Sequence, residues 1–163
     1  MDDQIDQIIL ALDASSTNVG WCLAQGARYL SSGVFHVKGE RDQRVCIIAQ
    51  WTAGMLDVHD PDLVGIEEPT GSHQNLATDR LLARVCGNVE GVCTLSGVAV
   101  EWIHAGKVKK TGFCKDTLWQ TARLVGKPSI GLDEADAIGI WQAVLVKFRD
   151  CKLMNLIAQE MQP

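Results

Sequence analysis

IILALDASSTNVGW, residues 8–21, decides how the chain is read. Five apolar residues, Ile8 to Leu12, run straight into Asp13. Small hydroxyl and amide residues follow (Ser15, Ser16, Thr17, Asn18), and Gly20 and Trp21 open a second apolar run. A continuous apolar run ended by turn residues reads as a strand buried on both faces. Asp13 then sits where a central strand leaves the core, and a carboxylate there is costly unless something pairs with it. Two readings stay open: Asp13 caps the turn, or it holds a metal ion. Ser15, Ser16 and Thr17 read as bonding the turn backbone rather than a phosphate.

The chain has 163 residues, 47% of them apolar and 21% charged. That length suits a single domain, which buries roughly 70% of its unfolded surface. No apolar run approaches the ~18 residues of a membrane span. The acidic opening MDDQIDQ lacks the order of a signal peptide, so a cytoplasmic location is expected. Six cysteines form no CxxC pair and four histidines are scattered, so reduced thiols are expected and zinc is not supported. The net charge of −5 argues weakly against a nucleic-acid partner unless the cations gather on one side.

Onward from Asp13, strands are expected over residues 19–24 and 29–37, an antiparallel meander with the first. Residues 40–58 switch to helical spacing (Val45, Ile48, Trp51, Met55, Leu56), ended by Asp60-Pro61. Leu63 to Ile66 is a short apolar strand that runs into Glu67-Glu68-Pro69, repeating the opening device. A polar loop, residues 70–75, leads to a helix over 76–93 in which Gly87 and Gly91 lie four apart. Such a pair permits close approach of another helix, within the chain or from a second copy. A fifth strand (97–103) and a basic loop (104–114) follow. A helix then begins at Lys115 or Asp116, with Leu118, Trp119, Ala122 and Val125 inward, and stops at Gly126 and Pro128. Residues 137–148 read as a buried helix and 151–161 as a weakly helical tail. The last helices are expected to cover the sheet on both sides. Trp21, Trp51, Trp102, Trp119 and Trp141 read mostly as core.

Carboxylates thus arrive at the ends of three segments: Asp13, Glu67 (or Glu68), and Asp133 with Asp136. Residues i and i+3 project from nearly one helix face. Acidic residues at a helix start are also favoured by capping and the dipole. That accounts for Asp133 and Glu134 without chemistry, but poorly for Asp136. Converging carboxylates cannot all stay ionised without a cation, and hard oxygen ligands suit Mg²⁺ or Mn²⁺. Two such ions can activate water and steady a leaving oxygen in phosphodiester cleavage.

ILALDASSTNVGW (9–21) resembles the opening strand and turn of the RuvC-type Holliday junction resolvases. GIEEP (65–69) resembles their second strand-end Glu motif, and KVKKTGFCKD (107–116) the basic loop before their penultimate helix. DEADAIGIW (133–141) resembles their terminal DxxDA motif, and the four motifs keep the family's order over residues 8–141. The resemblance implies an α/β, RNase H-like fold: a five-stranded mixed sheet, its first three strands an antiparallel meander, flanked by helices. It implies a homodimer that nicks four-way DNA junctions with two Mg²⁺ ions per site, Mn²⁺ able to substitute, and no nucleotide cofactor. Carried over as catalytic metal ligands are Asp13, Glu67, Asp133 and Asp136. Lys109 and Lys115 match family lysines at the phosphate or the active site. The short chain looks nearer to phage or organellar branches.

Two positions depart from the pattern. Thr70 stands where many members carry an aromatic, which bears on junction distortion and cleavage preference. Glu134 adds a carboxylate, read as a dipole or solvent residue because i+1 points away from the Asp133/Asp136 face. Lys107, Lys109, Lys110 and Lys115 read as phosphate-positioning once a metal site is placed beside them. Arg80 and Arg84, one helical turn apart, either hold a second DNA backbone or solvate their helix. Competing functions are a nuclease of flaps or forks, a branched-DNA binder without catalysis, and an actin-like ATP-binding protein. The last needs two domains around its nucleotide, and this length holds one.

Overall fold

The computed structural model describes residues 6–69 and 75–160, with side chains through Asp150. Strands β1 (Ile8–Ala14), β2 (Asn18–Gln25) and β3 (Arg28–His36) come first. Helix α1 (Arg41–His59), strand β4 (Leu63–Glu67), helix α2 (Leu76–Leu95) and strand β5 (Ala99–Ile103) follow. The chain closes with α3 (Ala105–Lys110), a 3₁₀ turn (Lys115–Thr117), α4 (Leu118–Leu124) and α5 (Leu132–Glu160). The sheet order is β3-β2-β1-β4-β5. β1, β2 and β3 pair antiparallel as the meander expected, whereas β1/β4 and β4/β5 are parallel.

β1 is the central strand, and Ile9 to Leu12 are fully buried, which explains the unbroken apolar run. Side chains alternate between two cores. Leu10 and Leu12 meet Val45 and Ile48 of α1 and Val85 and Val89 of α2; Ile9 and Ala11 meet Ile138, Ile140 and Trp141 of α5. The helices therefore divide as α1 and α2 on one face and α3, α4 and α5 on the other. The expectation that the last helices cover both faces is overturned, because α1 and α2 already fill the first.

Ser15 closes the β1–β2 turn, its hydroxyl donating to the Asn18 carbonyl at 2.7 Å and accepting from the Asn18 N–H at 3.1 Å. The basic stretch after β5 is not a loop. His104 caps α3 by accepting from the Gly106 N–H at 3.0 Å, and Val108 is its buried contact. One buried residue in six gives no periodic signal, which is why the helix escapes sequence reading. The last long helix is likewise unbroken: α5 runs 29 residues from Leu132, where a shorter buried helix and a separate tail were expected. Trp119 is 68% exposed rather than inward, because the inner face of the seven-residue α4 is taken by Thr121 and Ala122. Trp141 is core, and Trp51 stacks on Phe35 at 4.9 Å. Cys22, Cys46, Cys86, Cys93 and Cys114 are free thiols. Among the described residues no helix is long and apolar enough to cross a membrane.

Candidate active site

Parallel pairing of β1 with β4 sets the site. Leu12 lies opposite Ile66, so Asp13 and Glu67, the next residues, leave the same sheet edge side by side. On the other flank Asp13 pairs with Gly20 of β2. A Cβ on Gly20 would lie 1.9 Å from the Asp133 carbonyl oxygen, so only glycine lets the first turn of α5 rest on the sheet there. Gly139 does the same further along α5, where a Cβ would lie 2.1 Å from the Phe113 carbonyl oxygen. With α5 seated, Asp13, Glu67, Asp133 and Asp136 line one cleft of about 340 Å³, together with Lys115 and, from α2, Leu82 and Cys86.

The electrostatics follow from this crowding. Burial, then the charges of Asp136, Glu67 and Asp133, push the Asp13 carboxyl up to about 7, with Lys115 opposing. Burial, then Asp136, also raises Glu67, while Lys115, Lys109 and His104 pull it down. Asp136 is 7% exposed and accepts from the Lys115 backbone N–H at 2.9 Å and from its ammonium at 3.1 Å. That bond, and then the charge of Asp136, raise Lys115. Among the described residues, no three His, Cys, Asp or Glu side chains are grouped closely enough to hold a metal ion as they stand. Repulsion between ionised carboxylates opposes that approach without a cation. The donor set itself, four hard carboxylates with one ammonium against them in a polar cleft, fits a divalent cation.

Glu68 also lines the cleft wall. Glu134 does not, as the i+1 argument implies, yet it is no solvent residue: it is 8% exposed. Its carboxylate accepts from the Lys127 ammonium at 2.5 Å and the Ser32 hydroxyl at 2.5 Å. Lys127 also donates to the Ser32 carbonyl at 2.9 Å, and Tyr29 and Ser32 hydroxyls lie 2.9 Å apart. This half-buried cluster ties β3, the turn before α5 and the first turn of α5, which carries Asp133 and leads into Asp136. A single lysine between Gly126 and Pro128 carries no sequence signal beyond a solvated turn; the extra carboxylate of Glu134 is the signal that points to it.

The four lysines do not act as one group. Lys109 and Lys115 border a small cavity with Glu67 and Asp136. Lys107 and Lys110 turn to a separate cleft against α5, about 460 Å³, beside Lys147. Arg80 and Arg84 join Arg41 at a third cleft, about 600 Å³, at the N-terminal ends of α1 and α2. Arg84 pairs there with Asp42 at 2.8 Å. Neither of those clefts is lined by the four carboxylates. Thr70 lies outside the described residues.

By sequence, no family model and no curated protein matches the chain. By structure it is similar to Thermus thermophilus RuvC in complex with a Holliday junction substrate: TM-score 0.76, 17% identity, covering 88% of this chain and 96% of that one. A second Thermus thermophilus RuvC structure gives 0.70 and 20% identity, with the same coverage of both chains. The yeast mitochondrial Holliday junction resolvase gives 0.63 and 11% identity, covering 93% of this chain and 85% of that one. The fold is that of the RuvC-type, RNase H-like proteins.

Proposed function

We propose that this chain is a divalent-metal-dependent endonuclease that resolves four-way DNA junctions by paired symmetric nicks, acting as a homodimer. The observation that carries the reading is the gathering of Asp13, Glu67, Asp133 and Asp136, from three distant segments, into one cleft with Lys115. The likeness to a RuvC bound to a Holliday junction substrate supports the choice of DNA.

Asp13, Glu67, Asp133 and Asp136 would hold the ions, Mg²⁺ by the hardness of the donors, with Mn²⁺ able to replace it. Asp13, whose carboxyl feels the charges of all three of the others, would hold the ions together with them. When bound, such ions supply water activation and charge neutralisation at a phosphodiester. Lys115 keeps Asp136 oriented through two bonds. Lys109 stands beside it at the rim, placed to meet a phosphate oxygen. The product is a nick with a 5′-phosphate, fit for ligation.

A junction is two-fold symmetric, and paired nicks need two sites related by symmetry. On α2, Gly87 and Gly91 have nothing within 4 Å of where a Cβ would stand, which makes that helix the dimer contact in this reading.

Cleavage of end-labelled DNA in Mg²⁺ tests the proposal, with a mobile four-way junction beside a flap, a fork and a plain duplex. Symmetric paired nicks in the junction alone are expected. Equal cutting of flaps and forks would replace resolution with general branch trimming. Tight junction binding without any cutting would leave a binding protein.

A further inference from the structure

We infer that Trp119 is a stacking platform for an unpaired or unstacked base of the DNA branch, set beside the carboxylate cleft; this rests on the nuclease reading above. Trp119 is 68% exposed, whereas Trp141 is 1% exposed and Trp21, Trp51 and Trp102 are packed against a core. Leaving an indole in water forgoes most of the burial that an aromatic ordinarily gains. A single exposed aromatic is ordinary by itself; it points to a binding surface where its neighbours supply matching chemistry.

The neighbours of Trp119 do so. Lys115, in the 3₁₀ turn, lies four residues before Trp119, and Arg123 lies four after it on α4; both cations are exposed, and Trp119 and Arg123 stand about one helical turn apart. Lys115 is also the residue bonded to Asp136 through its ammonium and its N–H. The row therefore begins at the cleft. Four residues span at most about 14 Å of chain, and DNA advances about 3.4 Å per nucleotide along a strand, so the Trp119 backbone lies within about four nucleotides' length of the Lys115 backbone. Residues 107–132 contain six Lys or Arg and a single acidic residue, Asp116, within a chain whose net charge is −5. Of those cations Lys127 pairs with Glu134 and Lys115 with Asp136, and Lys107 and Lys110 turn to the cleft against α5; Lys109 and Arg123 remain for a polyanion. A cationic surface with an aromatic set in it binds unpaired bases by stacking and the backbone by charge. A paired duplex hides the base faces, so the gain is confined to branches. The nearby exposed Leu124 makes a second protein copy the rival occupant.

Titrating wild type, Trp119→Ala and Trp119→Phe in EDTA, where nothing is cut, separates these. The ligands are a four-way junction, a fork with unpaired arms and a plain duplex of equal length. Base stacking corresponds to about five- to a hundredfold in affinity. Trp119→Ala is expected to weaken junction and fork binding about tenfold and duplex binding less than twofold, with Trp119→Phe restoring most of the loss. A 2-aminopurine at the branch should be quenched by wild type and not by Trp119→Ala. Unchanged branch binding, or an equal loss on all three DNAs, overturns the inference alone. A smaller sedimenting species for Trp119→Ala assigns the surface to a second copy and also overturns it. Wild type that binds none of the DNAs sinks this inference and the nuclease reading together.

Discussion

At Asp13, burial and the neighbouring Asp136, Glu67 and Asp133 push the carboxyl up to about 7, whereas in an unfolded chain it titrates at about 4. The folded protein therefore binds more protons between those values, and stability falls as pH rises through that window. Ionised Asp13 costs the metal-free fold on the order of 4 kcal/mol above pH 7. Asp13→Asn is expected to abolish cutting, spare junction binding and raise the thermal midpoint in EDTA at pH 8 more than at pH 5. Thermal melts of both proteins at the two pH values check this; an equal shift at both would remove the electrostatic account. Adding Mg²⁺ at pH 8 should stabilise wild type and leave Asp13→Asn nearly unmoved. At this scale much of the cleft was readable, since Asp13 and Glu67 each end an apolar run. What could not be read is Gly20: its role depends on a carbonyl of residue 133, and nothing local to β2 announces it.

Among the elements, α5 is the one whose seating decides the cleft, and the Glu134, Lys127 and Ser32 cluster fixes its first turn. Lys127→Met leaves a buried carboxylate without its cation, which costs about 2–3 kcal/mol for a pair that keeps some solvent. Glu134→Leu in the same chain should recover most of that stability, because a buried pair replaced by apolar groups is close to neutral. Cleavage should not recover with it, since the tie to β3 stays cut. A double-mutant cycle, by urea unfolding and by initial cleavage rate, checks both halves; full recovery of rate would reduce the cluster to packing. The long elements were legible because their apolar periods are strong, α1 and α2 within two residues at each end. α3 and α4 were not: six and seven residues carry too few apolar positions to reveal which side faces in. Hence Trp119 was read as inward, and Lys107 and Lys110 were grouped with lysines that point elsewhere.

At the scale of the whole molecule, the open side of α2 is the feature that the chain itself does not use. Glycine costs a helix about 1 kcal/mol against alanine, and at Gly91 a methyl group would meet none of the described residues within 4 Å. Gly91→Ala should therefore stabilise the isolated chain by about 1 kcal/mol while weakening self-association. Urea unfolding at low concentration and sedimentation velocity at micromolar concentration read the two effects separately. A stabilised variant that associates as wild type does would remove Gly91 from the interface. The architecture of strands was legible from order and length of apolar runs, but the split of helices between the two faces was not, because hydrophobic period says that a helix packs and not on which side.

The carboxylates come from residues 13, 67, 133 and 136, and the last two arrive only with α5, which also covers Ile9 and Ala11. A chain emerging from the ribosome carries half of the ligands long before the rest, with one side of its sheet still bare. Assembly of the cleft thus waits for α5: a copy without that helix can neither complete its set of carboxylates nor cover one face of its sheet.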